Sequence, residues 1–593
     1  MPAIGFFGRV AWGEKALLRA LLLAGLAGLV GLCLLVSSSA AGPRLNPVQL
    51  ENALPGSVGW RIARAPAHAV EGYASEVSVA PGDSLDLHVS TAPAASYRVE
   101  VYRLGWYGGA GGRLVACLPA SCTDGEQGQA QPLRSPDPAT GFLDAGWTVT
   151  DRVRVPSAWV SGYYLAVFRL TSGPSAGRGS WAPFVVRAPA TAHSAVLVQA
   201  AVNTWQAYNR WGGTSLYKDA SGRSCKGVCT RVSFDRPYDP TTQNLWEYEL
   251  PLVHFLEESG YDVSYTTDVD TDRDPAELLR HRLVVTAGHD EYWTKRIRDA
   301  FETARTLGTN LAFIGANTGY WQMRYADSRR TIVEYRVPTL DPEPDPALKT
   351  TRFRALVPPR PECELEGVEY LRRGNQESLG GQHDYAVAAS ALSDPWFAGT
   401  GFTASSVLPG LVGYEWDAVA PGCRVPPPTV LFHYGGAPAP ADAVRYTAPS
   451  GAVVFSAGSL DFAKGLDDFR AHPDVVPSGD PRLEAFVRNA FARLLRPAGP
   501  SSVRTTAGRS GITVTIARPP DPRVVSVRVY RARAVQPLRR GSRGMHFVCA
   551  TLAPACLDRT VPRGRHVRYV VVISDAWGAS VPFVSPPVAA PGR

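Results

Sequence analysis

Between about residues 190 and 500, apolar segments alternate with segments of helical periodicity, and this feature constrains the fold of the 593-residue chain most strongly. Short apolar runs predict strands at residues 194–201, 263–267, 283–287, 310–315 and 452–457. Segments with one apolar face predict helices at residues 245–260, at 293–307 and after Asp480-Pro481. Strands that alternate with such helices are typical of a parallel sheet covered on both faces. The pattern therefore predicts a mostly parallel α/β domain over residues 190–500.

On either side of this region, apolar and polar residues alternate with the period of two that is typical of β-strands. Residues 163–170 show this alternation, and turn signals lie between such segments, which predicts an N-terminal β-sandwich over residues 67–188. Residues 525–530 show it again in a shorter unit, which predicts a fibronectin-III-like β-sandwich over residues 501–593. A chain of this length exceeds one hydrophobic core, so we expect three folded domains.

The first 41 residues have the features of an export signal. The basic residues Arg9, Lys15 and Arg19 precede an apolar run at residues 20–36, and small residues follow it. The length of this run lies at the lower limit for a membrane span. We predict a signal peptide or an uncleaved signal anchor at residues 1–41 and a linker at residues 42–66. The protein is then expected outside the cytoplasm, secreted or anchored to the membrane by its N-terminal segment.

The cysteines also indicate an exported protein. Of the nine cysteines, Cys33 lies in the apolar N-terminal run, which leaves eight. Their spacing predicts four disulfides: Cys117–Cys122, Cys225–Cys229, Cys363–Cys423 and Cys549–Cys556. An even number of cysteines is typical of proteins in an oxidising compartment. A zinc site is the alternative, but no two pairs share CxxC spacing and no pair of histidines accompanies them.

The net charge of +8 does not indicate a nucleic-acid partner. The 61 lysines and arginines are scattered along the whole chain and form no basic stripe interleaved with aromatic residues. We therefore expect no nucleic-acid partner. The sequence leaves the oligomeric state open.

Polar segments follow four of the predicted strands, at the points where the strands end. They lie at residues 203–209, 267–270, 288–293 and 315–321. In an open sheet of parallel strands, ligands bind outside the carboxyl ends of the strands. A fold requires short loops there, but it does not require His, Glu, Asn and Tyr in them. We therefore predict one shared site at this edge.

Four segments of the central region, in this order along the chain, resemble the large (beta) subunit family of N,N-dimethylformamidase: NTWQAYNRWGGTSLY, GYDVSYTTDVD, GHDEYW and GANTGYW. The N-terminal segment YRLGWYGG is also similar to that family, so the resemblance covers about residues 60–500. It implies a flavodoxin-like, glutamine-amidotransferase-like α/β domain. It also implies a mononuclear Fe³⁺ held by two tyrosines and one carboxylate, used to hydrolyse a small amide. Family members that hydrolyse dimethylformamide work with a small partner subunit in the cytoplasm, whereas this chain is predicted to be exported. The sequence therefore leaves both the substrate and a partner subunit open.

The resemblance also implies metal ligands in this chain. Glu291 of GHDEYW matches the carboxylate ligand, and Tyr208 of QAYN matches one tyrosine ligand. For the second tyrosine we favour Tyr248, because it lies in the first turn of a predicted helix near the carboxyl edge. Tyr238 is its competitor, and Tyr217 is a third candidate. Phenolate and carboxylate oxygens are hard donors that suit a ferric ion better than zinc.

The remaining candidates would handle protons and line the site. His289 and Glu415 are the two candidates for the group that protonates the leaving amine, and Asn317 of GANTGYW matches a polar residue lining the site. Together these residues predict hydrolysis of an amide C–N bond by a metal-activated water, with a small amide or a cell-wall component as substrate. The alternative is a non-catalytic cell-surface protein that binds a wall or surface polymer.

Overall fold

The computed structural model describes residues 45–239, 244–375, 380–437, 439–469, 478–518, 521–534 and 545–590. Contacts divide the chain into two units, Met1–Asn46 and Pro47–Arg593, and the second unit contains all the elements below. The predicted signal segment at residues 1–41 lies outside the described residues. Within the described ranges, every helix is too short or too polar to cross a bilayer. The predicted domain boundaries remain predictions.

The N-terminal region consists of two small sheets around one apolar core. Its elements are helix α1 (Pro47–Asn52) and strands β1 (Glu71–Ala74), β2 (Ser78–Val79), β3 (Ser84–Ser90), β4 (Ser96–Leu104), β5 (Gly112–Leu118), β6 (Glu126–Gln127), β7 (Asp151–Arg154), β8 (Gly162–Leu170) and β9 (Gly179–Val186). One sheet has the order β1-β3-β7, and the other has the order β2-β9-β8-β4-β5, with β6 on β4. Leu85 and Leu87 of one sheet and Ala166 and Phe168 of the other are buried in the shared core. The alternation seen in the sequence places these side chains inside.

The central region contains most of the helices. Its elements are β10 (Val196–Ala200), α2 (Val202–Tyr208), β11 (Arg231–Ser233), α3 (Leu250–Glu258), β12 (Val263–Thr267), α4 (Asp268–Arg273), β13 (Leu283–Gly288), β14 (Tyr292–Thr294), α5 (Lys295–Thr306), β15 (Asn310–Gly315), β16 (Trp321–Ala326), β17 (Thr331–Val333), α6 (Cys363–Glu366), β18 (Glu369–Asn375), β19 (His383–Val387), β20 (Val407–Val412), β21 (Glu415–Ala418), β22 (Thr429–Tyr434), β23 (Ala441–Thr447), β24 (Val453–Ser456) and α7 (Pro481–Leu494). A π-helical turn, Leu245–Glu249, leads into α3, and a 3₁₀ turn, Leu460–Leu466, follows β24.

The prediction of a mostly parallel, flavodoxin- or glutamine-amidotransferase-like α/β domain is wrong. Strands β12, β10, β13, β15 and β24 are parallel neighbours in that order. The same sheet then continues through β23, β22, β19 and β20, and these strands pair antiparallel. Strands take up 34% of the chain and helices 18%, so the protein is mostly β, with sheets of mixed orientation.

The error has a physical cause in the long stretch between β15 and β24. Apart from the single α-helical turn α6 and four 3₁₀ turns of three residues each, the described part of this stretch folds into strands and irregular segments. Antiparallel strands are joined by tight turns, whereas a parallel pair needs a crossover, usually a helix. An apolar run such as Val453–Ser456 reads the same whether the strand beside it runs parallel or antiparallel. The five apolar runs do form strands, but they specify only half of the sheet.

Two helices of the central region begin at residues whose side chains cap the first turn. Helix α5 begins after Thr294, whose side chain accepts a hydrogen bond from the amide of Ile297 at 3.2 Å. Its buried face carries Ile297, Phe301 and Ala304. Helix α7 begins with Pro481 after the capping residue Asp480, whose carboxylate accepts from the amide of Arg482 at 2.8 Å. These contacts hold the strand ends that carry the polar segments in fixed positions.

The C-terminal region again has two sheets around one core. Its strands are β25 (Ser502–Gly508), β26 (Gly511–Ala517), β27 (Ser526–Arg533), β28 (His546–Thr551), β29 (Ala555–Asp558), β30 (His566–Ser574), β31 (Phe583–Val584) and β32 (Val588–Ala589). A buried arginine of the central region, Arg282, joins it by ion pairs to Asp521, at 2.9 Å, and to Asp575. A fibronectin-III-like topology remains a prediction.

All four predicted disulfides are present: Cys117–Cys122, Cys225–Cys229, Cys363–Cys423 and Cys549–Cys556. Three of them close loops of a few residues. The fourth, Cys363–Cys423, spans 60 residues and joins α6 to the segment after β21.

Candidate functional site

The site lies where β10, β13 and β15 end. Gly288 and Gly315 pair with each other at the ends of β13 and β15. A Cβ at Gly315 would overlap the carbonyl of Gly288, and one at Gly288, whose φ is 60°, would overlap the Tyr248 side chain. Only glycine permits so close an approach and this backbone conformation. The residues that follow, at 289–291 and 316–317, therefore turn away from the sheet side by side.

Two tyrosines converge on the carboxylate of Glu291. The hydroxyl of Tyr208, at the end of α2, donates to Glu291 Oε2 at 2.9 Å. The hydroxyl of Tyr217 lies 3.2 Å from Oε1 and 3.1 Å from Oε2 of the same carboxylate. The two hydroxyls are 3.1 Å apart, and their rings stack with centroids 4.5 Å apart. Three acidic side chains thus share one buried point.

Local chain geometry brings Tyr217 back to Tyr208. Gly212 and Gly213 both have positive φ, of 75° and 95°, and reverse the chain after α2. The amide of Leu216 then donates to the carbonyl of Ala207 at 3.0 Å. The Tyr217 ring lies beneath the guanidinium of Arg336, at 4.7 Å, and its hydroxyl also bonds the hydroxyl of Tyr292. The position of Tyr217 is therefore fixed from several sides.

His289, Glu415 and Asn317 form the second half of the site. His289 Nε2 lies 3.1 Å from Glu415 Oε2 and 3.4 Å from Glu291 Oε2. The side-chain amide of Asn317 donates to Glu415 at 2.8 Å and reaches Glu291 Oε1 at 3.3 Å. One imidazole and one amide therefore both connect the two carboxylates.

Asp417 holds Asn317 in an uncommon backbone conformation. Asn317 has a φ of 52°, in the left-handed region that asparagine tolerates better than most residues. Its backbone N–H donates to both carboxylate oxygens of Asp417, each at 3.0 Å. Asp417 and Glu415 are two residues apart on β21, so both side chains leave the strand on one face.

The charges of these groups depend on burial and on one another. Burial raises the pKa of Glu291 to about 7, and the negative charge of Glu415 adds to this effect. Burial alone lowers the pKa of His289, but the charges of Glu291 and Glu415 outweigh it, so the net pKa is raised. Burial raises the pKa of Glu415, but its hydrogen bond to His289 and the charge of His289 lower it below its usual value. The contact between His289 and Glu415 therefore favours a protonated imidazole and an ionised carboxylate.

The oxygens of Tyr208, Tyr217 and Glu291 fit a small, highly charged cation. Their separations of 2.9–3.2 Å correspond to the edges of a coordination shell with metal–oxygen distances of about 2.0–2.2 Å. Burial raises the pKa of both tyrosines well above the usual value, and Glu291 adds to this through its negative charge. Hard oxygen donors of this kind suit a ferric ion.

The structure separates the sequence candidates. Tyr208, Glu291, His289, Glu415 and Asn317 lie together, as the shared-site prediction requires. Tyr248, which the sequence favours, packs instead with Ala316 and Leu460. Within the described residues, the tyrosine hydroxyls that bond Glu291 are those of Tyr208 and Tyr217. Tyr238 stacks on Trp181 of β9. The tyrosine beside Glu291 and Tyr208 is Tyr217.

Two residues of the site could have been found earlier. Tyr217 ranked last among the tyrosines although it lies in the same quoted segment as Tyr208, and the glycine pair between them is a signal for a chain reversal. Asp417 was overlooked, although its spacing of two from Glu415 in a strand-like segment places both on one face.

Comparison with known proteins gives the same family as the motifs. Residues 98–475 match the family described as N,N-dimethylformamidase beta subunit-like, C-terminal. Two relatives named N,N-dimethylformamidase beta subunit, from Alcaligenes sp and Paracoccus aminophilus, are 30% and 29% identical over 96 residues. Each match covers 16% of this chain and 13% of the relative.

Among solved structures, domains A168–A170 of titin match 16% of this chain and 32% of that chain, with 14% identity and a TM-score of 0.14. The family match covers more than half of the chain and contains Tyr208, Tyr217, His289, Glu291, Asn317 and Glu415. The chain belongs to the N,N-dimethylformamidase beta subunit-like family.

Proposed function

We propose that this protein is an exported hydrolase that cleaves an amide C–N bond and uses a ferric ion held by Tyr208, Tyr217 and Glu291. The observation that carries the proposal is the convergence of these three buried oxygens beside the His289–Glu415 pair. Family membership supports hydrolysis as the reaction class. The four disulfides support a location outside the cytoplasm.

When bound, the ion supplies Lewis acidity toward the amide carbonyl and lowers the pKa of water. Glu291, Tyr208 and Tyr217 hold it, and the surrounding residues fix these ligands. The backbone N–H of Glu291 donates to Thr204 Oγ1 of α2 at 2.9 Å. The Arg336 guanidinium holds the ring of Tyr217, and the hydroxyl of Tyr292 bonds its hydroxyl. The ligands are thus positioned before any substrate binds.

His289 is the proton donor in this proposal. Glu291 and Glu415 raise its pKa, which favours the protonated imidazole. The departing amine is a strong base and must take up a proton as the C–N bond breaks. Glu415 then holds the imidazole in place through its contact at 3.1 Å. Asn317 connects both carboxylates and fixes the distance between the metal ligands and the proton donor.

The proposed reaction implies the substrate class, which is a small amide or an amide-bearing cell-wall component. A panel of formamides, acetamides and wall-derived amides tests this with protein of measured iron content. We expect amine release from at least one compound, and we expect His289→Asn to lose turnover while it retains iron. His433→Asn is the matched control, because His433 also pairs with a carboxylate, Asp442, at 2.7 Å but lies outside the site. Iron-loaded protein that releases no amine but binds a wall polymer would replace this proposal with the binding-protein alternative.

A further inference from the structure

A second cluster of metal-binding residue types shares no residue with the Tyr208–Tyr217–Glu291 site. His254 and Glu258 lie one turn apart on α3, so both are on the same helix face. Asp467 follows the 3₁₀ turn that packs against this helix. One ligand atom from each of the three side chains lies within 4.8 Å of the other two. Two separate chain segments therefore bring one imidazole and two carboxylates together.

His254 is buried and held rigidly, but its polar atoms are poorly satisfied. Only 6% of the residue is exposed, and its ring stacks on Phe469 with centroids 4.3 Å apart. Its Nδ1 contacts Asp467 Oδ2 as an ion pair. Among the described residues, its other nitrogen, Nε2, has no hydrogen-bond partner. Buried polar atoms of this kind are rare in native proteins unless a water or an ion satisfies them.

The other cluster of this type within the described residues is already occupied by a covalent bond. It consists of Cys363, Glu369 and Cys423. The two cysteines form a disulfide, so neither offers a thiolate to a metal. The His254 cluster has no such bond, and its third member, Glu258, is exposed and therefore free to change rotamer.

We propose that His254, Glu258 and Asp467 bind a divalent transition-metal ion, with zinc as the best match. Zinc takes histidine nitrogen and carboxylate oxygen at about 2.0–2.2 Å in a tetrahedral shell, and water completes a set of three protein ligands. The imidazole argues against magnesium and calcium, which select oxygen donors. The proposal requires the Glu258 and Asp467 carboxylates, whose ligand atoms already lie within 4.8 Å of each other and of His254, to rotate toward one point.

The ion would act as a clamp beside the candidate active site. It connects α3 to the 3₁₀ turn Leu460–Leu466. That turn supplies Leu460 to the buried cluster with Tyr248 and Ala316, and its Lys464 lies 5.1 Å from the Tyr248 ring centroid. Because Ala316 precedes Asn317, a clamp at this position restrains the wall that carries Asn317. An ion that binds only the folded chain also stabilises it by mass action.

The test uses the full chain carrying Glu291→Gln, so that zinc does not report on the tyrosine site. Chelator-treated protein is dialysed against micromolar zinc chloride. Zinc per chain is then measured by mass spectrometry, and the melting temperature is measured with and without zinc. We expect about one zinc ion per chain and a rise in melting temperature of a few degrees.

In that background, Glu258→Gln is the main variant because its side chain is exposed, so the fold does not depend on it. We expect it to weaken zinc binding about tenfold or more. Asp467→Asn is the second variant and should act in the same direction. Asp442→Asn is the matched control, since it changes a histidine-paired aspartate outside the cluster. Zinc binding that is absent from the parent chain, or equal in Glu258→Gln, Asp467→Asn and Asp442→Asn, would overturn the proposal.

Discussion

The nine-stranded central sheet and the separate β18–β21 pair contribute to the site in different ways. In the parallel half, Glu291 and Asn317 lie just after strands, and Tyr208 lies at the end of the helix that follows a strand. All three belong to short sequence motifs. The antiparallel half lies beyond it in the sheet, and the separate strand β21 supplies Glu415 and Asp417 from far along the chain. The first half thus carries the proposed metal ligands. The later chain supplies the groups that hold the proton donor and orient Asn317.

This difference separates two kinds of function within one site. Residues at the ends of parallel strands are fixed by neighbouring strands and need little support from distant chain. Glu415 and Asp417 reach the site only because β21 pairs with β18 and hydrogen-bonds the chain after β24. We therefore expect changes in Tyr208 and Glu291 to affect metal content and changes in Glu415 and Asp417 to affect turnover alone.

The largest expected effect separates the two carboxylates. Glu291→Gln removes a metal ligand, so we expect iron to be lost and kcat/KM to fall by about 10³-fold or more. Glu415→Gln removes the partner of His289 and should lower kcat by about 10²–10⁴-fold while iron stays bound. Iron analysis and steady-state kinetics on both proteins check this. Iron loss in Glu415→Gln, or full iron in Glu291→Gln, would contradict the division of roles.

A smaller effect is expected at Asp417. Asp417→Ala leaves the buried N–H of Asn317 without an acceptor, so the Asn317 side chain loses its fixed position. We expect kcat to fall by about tenfold to a hundredfold with iron content unchanged. Asp442→Asn serves as the control because the Asp442 carboxylate accepts from the amide of Val419 rather than from that of Asn317. Equal kcat in the Asp417 variant and the parent would show that Asn317 needs no such support.

The smallest expected effect concerns the free energy of unfolding and the buried carboxyl group of Glu249. Burial raises the pKa of Glu249 to about 8, although its carboxylate accepts hydrogen bonds from Tyr163 at 2.6 Å and Trp205 at 2.5 Å. The folded chain therefore keeps a proton that the unfolded chain releases near pH 4.5, and the unfolding free energy falls as pH rises between these values. Glu249→Gln should remove up to about 1.4 kcal/mol per pH unit of that slope. Urea unfolding at several pH values between 5 and 8 measures it, and an unchanged slope would show that Glu249 is ionised in the folded chain.

Short-range patterns predicted much of the site but not the sheet. The segment GHDEYW places His289 and Glu291 at the end of an apolar strand, and the structure brings both to the edge with Tyr208 and Asn317. The position of each of these residues depends on where a nearby strand or helix ends, which the sequence specifies locally. Three of the four disulfides also followed from local spacing. The fourth, Cys363–Cys423, spans 60 residues.

Long-range pairing was harder to predict. The antiparallel half depends on which short strands meet across the stretch between β15 and β24, and a buried apolar strand carries no signal for the direction of its neighbour. The structure places Tyr248 away from the Glu291 carboxylate for a related reason. Its helix face was read correctly as buried, but that face packs on Ala316 and Leu460 rather than on Glu291. Tyr217 reaches Glu291 through a glycine reversal that helical periodicity does not describe.

The central claim is that Tyr208, Tyr217 and Glu291 bind one ferric ion, and substitution of single tyrosines tests it most directly. Iron content and the phenolate-to-iron absorption are measured for the parent chain and for Tyr208→Phe, Tyr217→Phe and Tyr248→Phe. We predict that Tyr208→Phe and Tyr217→Phe each lose iron or a large part of the absorption, whereas Tyr248→Phe retains both. Loss in Tyr248→Phe with full retention in Tyr217→Phe, or a parent chain that binds no iron, would contradict the account.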